Sequence, residues 1–316
     1  MNILIVANHY AVCSARYASA AFERLGHTVK HVGPAMGRNI WGLTLPPEYV
    51  WEPTEGWSLD IMGSHYANLD LVVIMDSDPV LLDKANTFAG PKIVWGVDNH
   101  VRDYRRDRID HYFLAHRNVS VMSWDTRIAN RPIVGGSIIN DGDVQPSDMT
   151  HVPCRYDPTL HTPSAIPFEE REYDVCMIGY MYPQRRQVVN ALKDAGFKVL
   201  AGCGLVYEAY RDAYHNARIS LCLSHNGDVA QRVLETARMG NVVMTDNCAD
   251  YPILKPDGFW LLDDTQPETV VQAVKDVLHE PEHAQAMIER SKAWAEPYSW
   301  DNGARKVVEW YERRTD

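Results

Sequence analysis

The sequence predicts an α/β protein of two doubly wound domains, each a parallel sheet with helices on both faces. Three observations predict it. At 316 residues the chain is long for one core and suits two domains of about 150 residues each. Short β-branched runs alternate with helical spacing in both halves, the pattern of βαβ units and parallel sheets. A proline-marked stretch from His151 to Pro167 separates the two halves, as an interdomain linker does.

In the first half, Asn2 to Ala7 reads as a buried strand, and Ser14 to Leu25 as a helix through Ala15, Ala18, Phe22 and Leu25. Gly26 stops that helix and Thr28 to Val32 returns as a strand. Further strand-like runs are Leu69 to Met75, Lys92 to Val97 and Val119 to Trp124. The stretch from Gly33 to Gly63 is rich in Trp, Pro and Gly without a period, and reads as an excursion or lid beside the sheet.

After Pro158, Pro163 and Pro167 the same grammar restarts. Strands are expected over Tyr173 to Ile178, Phe197 to Ala201, Arg218 to Leu223 and Asn241 to Thr245. Helices are expected over Gln184 to Ala195, Val229 to Met239, Pro267 to His279, Pro281 to Ala295 and Trp300 to Arg313. The domain boundary falls between residues 155 and 156.

Composition narrows the field. With 46% hydrophobic and 23% charged residues, the chain has the make-up of an ordinary globular protein. It has no apolar stretch near the roughly 20 residues that a membrane span needs. The opening Met1 to Val6 reads as a first strand instead of a signal peptide. Six cysteines form no CxxC pair, which suits free buried thiols in a reducing cytoplasm and gives no reason to expect a metal. A net charge of −11 argues against broad polyanion binding. Residues 1–155 hold 14 Lys/Arg against 17 Asp/Glu, and residues 156–316 hold 17 against 25. The nearly neutral first half carries the one dense basic run, Arg102 to Arg108 with Arg105 and Arg106. Its interleaved Asp103 and Asp107 suit a self-paired, solvated helix face.

Candidate sites follow from strand ends, because open parallel sheets bind ligands beyond the carboxyl ends of their strands. In Ile178-Gly179-Tyr180-Met181-Tyr182-Pro183-Gln184-Arg185-Arg186, a glycine ends a strand and two arginines open the next helix. Cations there oppose the helix dipole by about 0.3–1 kcal/mol each. A bound anion such as a diphosphate would explain them. In Ser224 to Gly240, Asp228 and Gln231 make a capping-box-like start, and Arg232 and Glu235 share a helix face. Glu235 can accept the hydroxyls of a ribose and Arg232 can reach phosphates.

These segments resemble the GT-B glycosyltransferases of the CgeB-like and GT4-like group. The resemblance rests on Asp174 to Gly179 with the arginines after it, Arg232 to Gly240, Val242 to Asp246, and the linker His151 to Pro158. It spans roughly residues 151–316. It implies two Rossmann-like domains with a cleft between them, residues 1–155 on the acceptor side and 156–298 holding the donor. Tyr298-Ser299-Trp300 is similar to that group's C-terminal segment, which implies that residues 299–316 form a helix packing back on the first domain. The activity implied is transfer of a sugar from a nucleoside diphosphate sugar, UDP-glucose or similar, to an acceptor hydroxyl, with retention and without a required metal. Gly179, Arg185, Arg186, Arg232, Glu235, Asp228, Thr245 and Asp246 are then the donor-binding candidates. Many enzymes of the group carry a further Glu eight residues before Glu235, where this chain has Gly227.

On the acceptor side, strand ends offer Asn8-His9-Tyr10, Asp76-Ser77-Asp78 and Asp98-Asn99-His100. Asp98, His100 and His9 are the candidates for moving the acceptor proton. The first loop lacks G-x-G-x-x-G and the second strand ends in Val32-Gly33 with no acidic residue, which disfavours a nicotinamide dehydrogenase. A phosphate-loop lysine motif and a G-x-S-x-G elbow are also absent. One variant of the reading has a hydroxymethylated base in phage DNA as acceptor, contacted by Arg102, Arg105 and Arg106 and stacked by Trp41, Trp51 and Trp57. A nucleotide-sugar epimerase and a non-catalytic nucleotide-sugar-binding protein are the alternatives from other classes.

Overall fold

The structure, a computed structural model, describes residues 1–9, 12–35, 39–40, 43–45, 47–51, 68–75, 85, 88, 90–97, 100–102, 109–115, 120–122, 131–132, 149–153, 155–224, 229–248 and 250–315. Contacts divide the chain into two compact units, Met1–Pro153 with Trp300–Asp316, and Cys154–Ser299.

The first unit begins with β1 (Asn2–Val6), helix α1 (Ser14–Arg24) and β2 (Thr28–Val32). A short antiparallel pair follows, β3 (Asn39–Ile40) and β4 (Leu43–Thr44), inside the stretch expected as an excursion. Then come β5 (Leu71–Ile74), β6 (Lys92–Gly96), β7 (His100–Arg102), β8 (His111–Leu114), β9 (Ser120–Met122), β10 (Arg131–Pro132) and β11 (Met149–His151). Among the described residues, six of these form one parallel sheet in the order β11-β8-β6-β5-β1-β2. β7, β9 and β10 form a separate three-stranded sheet. The 119–124 run therefore does not extend the main sheet. β8 and β11 complete it instead, with the sequences His-Tyr-Phe-Leu and Met-Thr-His.

Both faces of the main sheet are buried, which is why its strands read as continuous apolar runs. The two-residue period of a strand divides them cleanly. Ile3, Ile5, Leu71, Val73, Ile93, Trp95 and Phe113 face one core, where Ala15, Ala18, Ala21 and Phe22 of α1 cover them. Leu4, Val6, Val72, Ile74, Val94, Tyr112 and Leu114 face the other.

The second unit runs β12 (Tyr173–Ile178), α2 (Pro183–Asp194), β13 (Val199–Gly202), α3 (Tyr207–His215), β14 (Ala217–Cys222), α4 (Gln231–Met239) and β15 (Val242–Asp246). It ends with α5 (Tyr251–Leu254), β16 (Trp260–Leu262), α6 (Pro267–His279) and α7 (Pro281–Ala295). Proline opens α2, α6 and α7, where its missing N–H has no intrahelical partner to lose. The five strands are parallel in the order β13-β12-β14-β15-β16. Winding reverses between β12 and β14, so the switch point of this doubly wound sheet lies at their carboxyl ends. α3 and β16 are elements that periodicity did not mark.

The last helix, α8 (Trp300–Thr315), belongs to the first unit. Trp300, Ala304 and Val307 enter the core that α1 covers, with the Trp300 ring 5.3 Å from that of Trp95. Arg24 pairs with Asp301 at 2.6 Å, and Arg314 with Asp110 at 3.0 Å. Among the described residues no helix is long and apolar enough to cross a membrane.

Candidate functional site

The switch point of the second unit gathers the strongest constellation of charge. The chain leaves β12 through Gly179, whose φ of +147° is essentially closed to residues with a side chain. A Cβ at this position would lie 2.3 Å from Nη2 of Arg232. The glycine thus lets the Arg232 guanidinium, carried by α4, lie against the backbone at the end of β12.

Arg185, in the first turn of α2, spans the same switch point. It is buried, donates from Nη1 to Tyr180 O at 2.9 Å, and donates from Nη2 to Leu223 O just past β14. Its Cζ lies 5.2 Å from the centre of the Tyr182 ring. Burial, and then the charge of Arg232 beside it, lower its pKa. Arg232 stays a cation. Burial opposes its charge, and the groups of Tyr214, Tyr210, Cys222 and Glu235 around it outweigh that effect and raise its pKa.

Among the described residues, neither arginine has a carboxylate within 4.0 Å. Arg185 Nε and both Nε and Nη1 of Arg232 are sealed from water without a hydrogen-bond partner. Leaving a buried donor unsatisfied costs about 1–3 kcal/mol, and neighbouring like charges add to that cost. Two adjacent cations with unpaired N–H groups, at the opening of two helices, make a site that an anion of several charges completes.

Glu235 lies one turn along α4, on the same face as Arg232, and is differently engaged. Its Oε2 accepts from Tyr210 Oη at 2.7 Å, and its Oε1 accepts from Gln231 Nε2 at 2.8 Å. His161 Nε2 stands 3.6 Å from Oε1. The Asp157 N–H donates to His161 Nδ1 at 2.9 Å, which places the imidazole proton on Nε2, facing Glu235. Burial keeps His161 neutral by lowering its pKa, and burial together with Glu235 raises that of Tyr210. Tyr210 and His161 were not singled out from sequence. The one local signal was the spacing of Tyr207, Tyr210 and Tyr214, which lines one helix face.

Other expected donor-binding residues are placed as follows. Arg186 Nε donates to Met181 O at 2.8 Å and is exposed. Asp246 accepts the Ser224 N–H at 2.8 Å, tying the segment after β14 to the end of β15. Thr245 lies on β15. It is fully buried, its hydroxyl donates to Cys222 O at 3.0 Å and meets Tyr251 Oη at 3.1 Å, so it serves the sheet. The cap of α4 is a correction. Its N-cap is Ala230, and Gln231, the partner expected for Asp228, reaches forward to Glu235 instead. Asp228 itself lies outside the described residues.

In the first unit, His9 follows β1 and is 1% exposed. Its Nε2 meets His31 Nδ1 at 2.9 Å, and its ring stacks on Trp51 at 4.3 Å between centres. Nδ1 is sealed from solvent, 3.2 Å from where a Cβ on Gly33 would stand. The His9 ring is thus packed against His31 and Trp51. Burial first, and then the charge of His31, push His9 down to about 4; burial does the same to His31. His100 and Arg102 are placed on β7 by their backbone alone. Asp98, Arg105 and Arg106, with the tryptophans at 41 and 57, lie outside the described residues. Among the described residues no three His, Cys, Asp or Glu side chains are grouped to hold a metal.

The chain is similar to known proteins in two ways. A family model described as glycosyl transferase-like matches residues 164–309, most of the second unit and the start of α8. No curated protein sequence matches the chain. Among solved structures, Anabaena HepE in complex with UDP and glucose superposes with a TM-score of 0.67 at 10% identity, covering 99% of this chain and 100% of that one. An α-glucosyltransferase in complex with UDP and a 13-mer DNA containing an HMU base gives 0.66 at 10% identity, covering 98% and 99%. Sucrose-phosphate synthase from Thermosynechococcus elongatus gives 0.63 at 10% identity, covering 100% and 99%. These likenesses establish the fold as GT-B, with two Rossmann-like domains. Together with the family match they indicate a glycosyltransferase enzyme.

Proposed function

We propose that the chain transfers a sugar from a nucleoside diphosphate sugar, UDP-glucose or a close relative, to an acceptor hydroxyl with retention of configuration and without a metal. The observation that carries this reading is the Arg185–Arg232 pair, with three sealed, unpartnered N–H positions at the switch point of the second unit. A diphosphate satisfies those donors. As the bond between the anomeric carbon and the phosphate oxygen breaks, charge grows on that oxygen, and two fixed guanidiniums stabilise it most at that moment. The acceptor oxygen bonds to the anomeric carbon, and its proton passes to the leaving phosphate or to Asp98 or His100. Glu235 receives the ribose hydroxyls. The Arg232-to-Gly240 motif and the Gly179 turn favour the CgeB-like and GT4-like group, and the free cysteines favour a reducing, cytoplasmic setting.

Calorimetry and thermal shift against UDP, GDP, ADP and their sugar conjugates test the reading. One nucleotide should bind, and Arg232→Ala should weaken it by about 10–100-fold, the contribution of charged hydrogen bonds at about 1.5–3 kcal/mol. Asp98→Asn should lower turnover more than donor affinity. If no nucleotide binds, the reading fails at its centre.

A second reading of the acceptor is DNA carrying a hydroxymethylated base. The basic run from Arg102 to Arg108 favours it, and one structural neighbour is complexed with DNA containing an HMU base. Transfer to modified DNA should then fall steeply between low and moderate salt. Salt-indifferent transfer to a small hydroxylic acceptor would point away from nucleic acid.

A further inference from the structure

We infer that Tyr210 and His161 are positioning residues that aim Glu235 at the two hydroxyls of a ribose and so give the site its preference for ribonucleotides. The inference rests on the assignment of Glu235 to the ribose in the reading above, and goes beyond it by naming what fixes that carboxylate.

Glu235 and Arg232 share a helix face three residues apart, the spacing at which a glutamate and an arginine ordinarily pair. Here they do not pair. The carboxylate accepts hydrogen bonds from a phenol of α3 at 2.7 Å and an amide of α4 at 2.8 Å, and the Nε2 of His161 stands beside it at 3.6 Å. None of the three is Arg232, so Arg232 keeps its donors. An ionised carboxylate has about four acceptor positions. Tyr210 takes one on Oε2, and Gln231 and His161 lie against Oε1. His161, at 3.6 Å, lies beyond hydrogen-bond reach, so Tyr210 and Gln231 fill two positions and about two remain for hydroxyl donors, on a side chain that is 10% exposed. His161 is fixed in turn by the Asp157 N–H, and Asp157 Oδ1 accepts from Thr159 N at 2.9 Å, so the arrangement is anchored in a turn of backbone.

A hydroxyl that is only structural and one that aims a ligand group respond differently to the ligand offered. The test titrates UDP, 2′,3′-dideoxy-UDP and inorganic pyrophosphate into the wild type, Tyr210→Phe and His161→Leu by calorimetry. The wild type should prefer UDP to the dideoxy analogue by about tenfold or more, the scale of one good hydrogen bond to a charged group. In Tyr210→Phe that ratio should collapse to within about threefold, with pyrophosphate bound as in the wild type; His161→Leu should show the same change at smaller size. Pyrophosphate needs only the arginines, so it reports that the unit is folded.

Equal losses for all three ligands, or an unchanged ratio, would overturn the positioning role while leaving the diphosphate site standing. Should Tyr210→Phe fail to bind pyrophosphate, His161→Leu decides alone by the same ratio. A wild type that binds UDP and its dideoxy analogue equally overturns the ribose assignment and this inference together. A wild type that binds no nucleotide removes the proposed function as well.

Discussion

Gly179→Ala separates the geometry of the anion site from the stability of the strand that carries it. The new methyl group would stand 2.3 Å from Arg232 Nη2 and 3.3 Å from its Cζ. Ordinary contact between such atoms is about 3.5 Å, so the guanidinium must withdraw by about 1 Å. An arginine displaced that far loses its bidentate geometry toward a phosphate, with a cost of about 1.5–3 kcal/mol in affinity. Calorimetry should therefore record a UDP dissociation constant raised by about 10–100-fold. The alanine also strains the backbone at φ +147°, by about 1–3 kcal/mol of stability. Gly196→Ala is the matching control, because Gly196 has φ +90° with nothing within 4 Å of its would-be Cβ. It should lower the melting temperature and leave UDP affinity untouched. If Gly179→Ala binds UDP as the wild type does, Arg232 is not a donor ligand.

Two further outcomes follow from buried charge. Arg232→Met removes a buried cation with unpaired donors; it should raise the melting temperature of the unliganded protein by about 2–4 °C, about 1 kcal/mol for a protein of this size, while weakening UDP binding by about 10–100-fold. A lowered melting temperature would show that the charge stabilises the fold by itself. The His9–His31 pair, both lowered to about 4 from 6.5, sets a pH slope. The unfolded chain takes up these protons first as pH falls, so the pair's contribution is complete above pH 6.5 and is lost on the way down to about 4. At pH 5 the loss is about 1–2 kcal/mol for the pair after coupling and solvent screening. Melting temperatures between pH 7 and 4.5 should fall less in His31→Phe than in the wild type, and parallel profiles would refute the assignment.

Much of this was legible in sequence because parallel strands buried on both faces are written as β-branched runs. Asn2 to Val6 and Val242 to Asp246 were readable on that ground alone. β8 and β11 were not, because His111 and His151 break the apolar signature while tertiary contacts hold them: His111 Nε2 meets Thr150 Oγ1 at 2.8 Å and His151 Nε2 meets Ala115 O at 3.1 Å. The arginines of the site were visible because each sits next to a strand end and against its helix dipole. Their unbonded N–H groups were not, since only the folded chain shows that, among the described residues, no carboxylate comes within pairing distance. Tyr210 escaped notice for a related reason, being 25 residues from Glu235 and joined to it only by packing.

The return of α8 to the first unit has a consequence for how the protein is made. Residues 154–299 form one uninterrupted stretch and can condense as soon as they clear the ribosome. The unit synthesised first cannot finish, because Trp300, Ala304 and Val307 belong to its core beside Trp95 and Phe22. At about 5–20 residues per second, the intervening segment takes roughly 7–30 s to emerge. For that interval the early half waits with an open apolar face, and in the order of biogenesis the half begun first is completed last.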